Sequence, residues 1–254
     1  MNTRHIVFAL LSLCASAALA QQPQATTTTQ AVAAPSPADV ERMRTPLADW
    51  PNLTRYRAED EAIPPPSADE QRVVFLGDSI TDRWGRKVGT FFPGKGYINR
   101  GISGQTTPQM LLRFQQDVVR LHPSVLVLLA GTNDIARNTG PSSPAMIEDN
   151  FRSMAAIAKD NGIRLVIGSI LPAARYRWRP GVNGVTDIRE VNRWLKTFCT
   201  ENNFVFVDYY TAMADDAGGM KPGLSSDEVH PTEAGYEIMA PLAEQGITQA
   251  LNHR

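Results

Sequence analysis

Ser79 is the first point along the chain where a side chain and its neighbours could do covalent chemistry. It lies in Gly77-Asp78-Ser79-Ile80-Thr81-Asp82, directly after the apolar run from Val73 to Leu76. A serine on such a strand-to-helix turn stands at the sheet edge, with its own N–H near the helix start. Its hydroxyl is unreactive at its free pKa and needs an imidazole within hydrogen-bond reach. The chain has four histidines. His5 falls in the apolar N-terminal segment, His122 precedes Pro123 at the start of a strand and so at the opposite end of a sheet, and His253 is the penultimate residue. His230 has Asp227 three residues before it, where a carboxylate can hold the imidazole Nδ1–H and fix its tautomer. It is the natural base.

Attack on an acyl carbonyl also needs donors aimed at the developing oxyanion. Asn133 in Gly131-Thr132-Asn133-Asp134 and Gly104 in Arg100-Gly101-Ile102-Ser103-Gly104 supply a side-chain NH₂ and an unobstructed backbone N–H, and Ser79 N–H is a third. Each block alone has a plainer explanation: Asp-Ser after a strand is an ordinary helix cap, and Asp-x-x-His is common surface decoration. Their joint presence at several strand ends carries the reading. Asp78 and Asp134 are read as caps or braces of their turns.

The elements that must position these residues follow from hydrophobic pattern. Val73 to Leu76, Val125 to Leu129, Leu165 to Ile167 with Ile170 beyond, and Phe204 to Val207 are continuous apolar runs, and Tyr97-Ile98-Asn99 reads as a short fifth strand. All but the first of the four long runs follow a helical pattern, so they read as buried parallel strands of an α/β unit. Helices are expected from Thr107-Pro108 (inward Leu111, Phe114 and Val118), from Ser143-Pro144 (Ile147, Phe151, Met154 and Ala158), over 187–198 (Ile188, Val191, Leu195 and Phe198), and from Thr232-Glu233 (Tyr236, Met239 and Leu242) towards Leu251. In open parallel sheets ligands sit beyond the carboxyl ends of the strands. Those are the places where the polar blocks fall.

Four blocks in this order, GDSI with Ser79, GISG with Gly104, GTND with Asn133 and DEVHP with Asp227 and His230, resemble the SGNH hydrolases of the GDSL esterase/lipase superfamily. Glu228-Val229 stands where that family commonly has a small residue and a hydrophobe. The resemblance spans roughly Arg72 to the carboxyl end. It implies a three-layer α/β/α sandwich, flavodoxin-like, with a five-stranded parallel sheet. It also implies a nucleophilic Ser79 served by His230 and Asp227, and an oxyanion hole of Ser79, Gly104 and Asn133. The flanks VVFLGDSITDRW and NRGISGQTTPQMLLRF resemble the branch related to platelet-activating factor acetylhydrolase catalytic subunits and bacterial carbohydrate acetylesterases, which implies short acyl groups.

After the strand ending near Ile170 comes a loop with Arg175, Tyr176, Arg177, Trp178 and Arg179. Tyr176 and Trp178 could stack on a sugar or wall the acyl pocket, and Arg175 with its neighbours could meet an acidic group. A solvated loop pinned by one aromatic is the simpler alternative. Trp84, one turn beyond Ser79, either shapes the pocket or packs beneath it.

Composition narrows the function further. The 254 residues are 43% hydrophobic and 20% charged with a formal charge of −1, enough for one substantial core and without the basic footprint of a nucleic-acid binder. Four histidines and two cysteines, Cys14 and Cys199, are too few and too scattered for a Cys/His structural metal site, so no metal is expected. Export, expected from the N-terminal segment, argues against a redox cofactor supplied by the cytosol, so no cofactor is expected. Residues 1–20 read as a signal peptide: Arg4, an apolar run from Ile6 to Leu13, and Ala18-Leu19-Ala20 before cleavage. The expected product is exported, periplasmic or secreted, without stable membrane insertion and with Cys199 as its only thiol. Residues 21–38 read as a flexible linker, 39–70 as an N-terminal extension with a short helix around Leu53 and Tyr56, and 71–254 as the hydrolase domain. The expected activity is removal of short acyl groups from a small-molecule or polysaccharide ester, foremost O-acetyl groups of a carbohydrate. A lysophospholipase or another lipid or thioester hydrolase using the same serine is the competing reading, and a non-catalytic glycan-binding module the remote one.

Overall fold

Why the apolar runs are continuous rather than alternating is visible in their neighbours: each strand is covered on both faces. The computed structural model describes residues 36–252. The signal-peptide reading, most of the linker and His253 lie outside them. Helix α1 (Pro37–Ala48) and the short α2 (Arg57–Ala62) precede β1 (Val73–Gly77), α3 (Ser79–Arg83), β2 (Ile98–Gly101) and α4 (Thr107–Asp117). Then come β3 (Val125–Leu129), α5 (Thr132–Ile135), α6 (Pro144–Asp160), β4 (Arg164–Gly168), α7 (Val185–Asn202), β5 (Val205–Val207), α8 (Tyr209–Met213) and α9 (Glu233–Asn252). The strands form one parallel sheet in the order β2-β1-β3-β4-β5.

Alternate residues of each strand feed two cores. Val74, Leu76, Leu126, Leu128, Leu165 and Ile167 pack with α4, α6 and α7. Val73, Phe75, Val125, Val127, Val166 and Val205 face the other way, towards α8 and α9. This is the expected three-layer α/β/α sandwich with a five-stranded parallel sheet. The strand order reverses between β1 and β3, and the crevice at that switch point is where doubly wound sheets bind ligands. Ser79 follows β1 and Asn133 follows β3, so both stand at it.

Three expectations are refined. The extension holds two helices rather than one, with Leu53 and Tyr56 in the turn between them, and α1 begins at Pro37, inside the stretch read as linker. On α4, Phe114 and Val118 are buried as expected but Leu111 is only partly so; the inward stripe is completed by Met110, Arg113 and Asp117. Two charged residues there defeat a reading based on apolar periodicity. His122 is exposed at the amino end of β3, remote from the switch point as expected.

Candidate active site

Ser79 is the first residue of α3, so its N–H is one of the four that open a helix without an i−4 acceptor. Asp78 caps the same helix, accepting from Ile80 N–H at 2.9 Å. The helix lies against the end of β2 so closely that a Cβ on Gly101 would come within 2.1 Å of Asp82 N. Tyr236 of α9 donates its hydroxyl to the Ile80 carbonyl at 2.7 Å, tying the turn to the far layer. The serine is therefore held by sheet, helix and cap together.

Ser79 Oγ lies 2.8 Å from His230 Nε2, and His230 Nδ1 lies 2.7 Å from Asp227 Oδ2. The other carboxylate oxygen, Oδ1, accepts the backbone N–H groups of His230 at 2.8 Å and Val229 at 3.1 Å. Glu228, between Asp227 and Val229, adopts φ +74°, a conformation uncommon for a residue with a side chain. It lets both following N–H groups turn onto one oxygen. Partial burial works to raise the Asp227 carboxyl, but the bonds from the His230 N–H, the His230 ring and the Val229 N–H outweigh it and hold the group at about 2. Asp227 is a standing anion beside the imidazole.

Asn133 Nδ2 donates to the Gln105 carbonyl at 3.0 Å, which commits one of its two hydrogens and leaves the other for the cleft. Its Oδ1 accepts from Asn138 Nδ2 at 2.8 Å, fixing which way the amide faces. Gly104 has φ +82°, a backbone state that suits glycine, and is exposed to the cleft. Ser79, Gly104, Asn133 and His230 line one cleft of about 370 Å³, with Arg83, Lys87, Ser103, Asn138 and Trp178 around them. A hydroxyl, an imidazole with a carboxylate behind it, and the N–H groups of Ser79, Gly104 and Asn133 are thus brought together at one cleft, an arrangement with the parts that acyl transfer uses.

The two buried acids of the site behave as braces. Asp134 accepts from Thr107 N–H at 3.0 Å and from its hydroxyl at 2.6 Å, fastening the start of α4. Burial raises Asp134 to about 6, despite these bonds. Asp78 rises to about 7, mainly through burial, with the nearby Asp134 charge adding to it and the Ile80 N–H opposing it.

Of the residues read as substrate contacts, only Trp178 lies in this cleft. Its Nε1 donates to Asn138 Oδ1 at 2.8 Å and its ring is 6.1 Å from that of His230. Tyr176 is corrected: it is 1% exposed, its hydroxyl beside Thr132, and it pins the loop that presents Trp178. Trp84 is corrected as well. At 2% exposure it joins an aromatic cluster with Tyr236 at 4.9 Å and Phe92 at 5.0 Å, because its place at the end of α3 turns it under the serine rather than over it. Arg175 is exposed but meets Glu228, with contacts of 2.5 and 2.9 Å, instead of facing the cleft.

Sequence reasoning missed Asn138 and Arg113. Arg113 is fully buried and donates to the carbonyls of Gly77 and Arg100 at 3.0 and 2.8 Å, to Gln105 Oε1, and to Asp117 at 2.9 Å. It braces the ends of β1 and β2 from below. The available signal was the Arg113/Asp117 spacing of four, which on a helix usually marks an exposed pair.

The fold and this constellation define a serine carboxylic-ester hydrolase. Residues 75–238 match the GDSL-like lipase/acylhydrolase family, to which the chain belongs. It is 41% identical to a GDSL-like lipase of Bacteroides thetaiotaomicron of known structure, with a TM-score of 0.77 over 79% of this chain and 99% of that one. It is also 28% identical over 207 residues to an acetylxylan esterase of Geobacillus stearothermophilus, covering 67% of this chain and 90% of that protein. The structure of the Axe2 acetylxylan esterase from the same organism shares the fold, with a TM-score of 0.56 at 22% identity, over 70% of this chain and 94% of that one. No helix among the described residues is long and apolar enough to cross a membrane.

Proposed function

We propose that the protein is an O-acetylesterase of an acetylated carbohydrate, with Ser79 as nucleophile, His230 as general base and acid, and Asp227 as the anion that orients the imidazole. Ser79 Oγ attacks the acetyl carbonyl carbon as its proton passes to His230 Nε2. The N–H groups of Ser79 and Gly104 and the free amide hydrogen of Asn133 meet the oxyanion. Collapse of the tetrahedral intermediate breaks the bond to the sugar oxygen, which takes the proton from His230 and leaves acetyl-Ser79. Water then attacks, its proton passing to His230 and on to Ser79 Oγ as acetate departs.

One observation carries the choice of a short acyl group on a hydrophilic alcohol. Around Ser79 and His230 the cleft is walled by Arg83, Lys87, Ser103, Asn138 and Trp178, and no Leu, Ile or Val is among its described lining residues. A fatty chain gains about 0.8 kcal/mol per buried methylene only where an apolar channel receives it. Similarity to an acetylxylan esterase supports the same reading. Across p-nitrophenyl esters, kcat/KM is expected to peak at acetyl, fall by butyryl and be very low at octanoyl, and acetate release is expected from O-acetylated xylan, sialoside or pectin. Higher kcat/KM on decanoyl or lysophospholipid substrates, free of micelle artefacts, replaces this reading with the lysophospholipase. The N-terminal segment supports export with cleavage after Ala20. N-terminal sequencing of the mature protein checks this, and a retained Met1 rejects it.

A further inference from the structure

We propose that a groove running from Ser79 past Trp178 to Trp50 binds the uncharged backbone of an oligosaccharide, so that the enzyme deacetylates chains in preference to single sugars. The inference builds on the carbohydrate reading above and adds a subsite to it. The cleft at Ser79 shares Ser103, Gly104, Asn138 and Trp178 with an adjoining groove of about 530 Å³. The far wall of that groove comes from the N-terminal extension, through Asp49, Trp50, Asn52 and Thr54. The two cavities thus adjoin along the oxyanion glycine, Asn138 and Trp178, so a chain with one sugar at Ser79 has its neighbouring sugars beside the second.

Trp50 and Trp178 are 39% and 40% exposed, and both line this groove. Large aromatic surfaces left in water beside a reactive centre are expected where something packs on them. The turn that carries Trp50 is built rather than loose. Gln109 Nε2 donates to the Trp50 carbonyl at 2.7 Å, Gln105 Nε2 to the Pro51 carbonyl at 2.6 Å, and Gln116 Nε2 to the Leu53 carbonyl at 2.7 Å. Ordering three glutamine side chains on one surface turn costs rotamer entropy. What they achieve is a fixed place for an exposed indole, with Gln105 next in sequence to Gly104. Trp178 is fixed comparably by Asn138.

The lining also selects the ligand. Asp49 is the charged residue among the described lining, and its carboxylate is already occupied by the N–H groups of Leu53 at 2.7 Å and Thr54 at 2.9 Å. The rest of the described lining is the two indoles, Ile102, Gly104 and amide and hydroxyl side chains, Asn52, Thr54, Asn138 and Thr139 among them. A pyranose ring presents C–H faces that pack on indoles and edge hydroxyls that hydrogen-bond to such groups. Among the described residues lining this adjoining groove no cation awaits an anionic polymer; Arg83 and Lys87 stand only at the Ser79 end.

The test uses the full chain with p-nitrophenyl acetate and with acetylated xylose, xylobiose and xylotetraose. In the wild type, kcat/KM is expected to rise about tenfold from acetylated xylose to xylotetraose, through KM. In Trp50→Ala the ratio of kcat/KM for xylotetraose to that for p-nitrophenyl acetate is expected to fall about tenfold, and Trp50→Phe to restore most of it. Calorimetry on the Ser79→Ala protein is expected to show xylohexaose binding that is weakened about tenfold when Trp50→Ala is added. Acetylated sugars hydrolysed without regard to length, or equally by wild type and Trp50→Ala, overturn the groove and spare the carbohydrate reading. Turnover of p-nitrophenyl acetate but of no acetylated sugar overturns the carbohydrate reading; the groove then falls too if xylohexaose does not bind Ser79→Ala, and stands if it does.

Discussion

Two regions meet at Ser79 and hold their carboxylates in opposite ways. At the ends of β1 and β3, Asp78 and Asp134 are almost wholly buried, and burial outweighs the hydrogen bonds they accept, raising them to about 7 and about 6. In the loop before α9, Asp227 is half-buried, and three bonds from Val229 and His230 hold it at about 2. The contrast shows that proximity to the serine does not make an acid useful to catalysis. An acid wholly out of water drifts toward neutrality in spite of the donors it has and serves as a brace, whereas one left partly in water, with N–H groups and an imidazole beside it, stays charged and can orient an imidazolium.

The largest effects are expected from removing the hydroxyl and the imidazole that stand in line with Asp227. Ser79→Ala and His230→Ala are each expected to lower kcat by roughly 10⁴- to 10⁶-fold, because attacker and base act as one unit. Circular dichroism is expected to show the fold intact, and near-native turnover in either variant rejects the assignment. Asp227→Asn keeps the shape but not the charge, and a smaller loss of about 10²- to 10⁴-fold in kcat is expected. A loss equal to that of His230→Ala makes the carboxylate indispensable rather than supportive.

Next in size is the frame under the sheet edge. Arg113→Ala strands the buried Asp117 charge and three buried acceptors at Gly77, Arg100 and Gln105. Breaking one partner of such a pair costs about 3–5 kcal/mol, and replacing both by apolar residues costs much less. Denaturant titration of Arg113→Ala against the Arg113→Met/Asp117→Leu pair checks this. Equal losses in the two indicate that the three acceptors Arg113 satisfies, which stay unpaired in both variants, carry the cost rather than the stranded charge.

The two kinds of carboxylate also give stability opposite dependences on pH. Asp78 has a folded pKa raised from 3.8 to about 7, so its contribution is complete below pH 3.8 and is lost as pH rises through about 7. Asp227 runs the other way: its contribution is present above pH 3.8 and is lost as pH falls through about 2. An asparagine at position 78 can still accept the Ile80 N–H without ionising. Asp78→Asn is thus expected to gain on the wild type as pH rises from about 4 to 7, by on the order of 3 kcal/mol. Urea titrations across that range decide it, and a difference independent of pH means Asp78 stays ionised. The smallest effect belongs to the exposed Arg175–Glu228 pair, where Arg175→Ala is expected to leave kcat/KM within about threefold. A larger drop on p-nitrophenyl acetate makes that pair a support for the Asp227 turn.

That Ser79, Gly104, Asn133, Asp227 and His230 gather at one place was legible because each block is written locally. A polar block follows an apolar strand, and a parallel sheet gathers its strand ends at one edge whatever lies between them in sequence. The acid and base sit three residues apart, close enough for one turn to join them. Strand positions were legible for the same reason, since burial on both faces demands continuous apolar runs. Local pattern fails where a residue's meaning depends on direction. Trp84 and Trp178 each follow a strand end closely, yet one turns into the aromatic layer around Tyr236 and the other into the cleft beside His230. Arg113 and Asp117 look like an exposed helix pair and are the inner brace of the sheet edge, because the carbonyls that satisfy Arg113 come from two strands and a loop. Trp50 lines the groove in a turn whose carbonyls are held by three glutamines distant in sequence. The sequence alone determined which chemistry the chain carries, since residue type and spacing along a strand end are local properties. Tertiary packing decided which side chains brace that chemistry and which face the substrate, since both depend on contacts between segments that no local pattern relates.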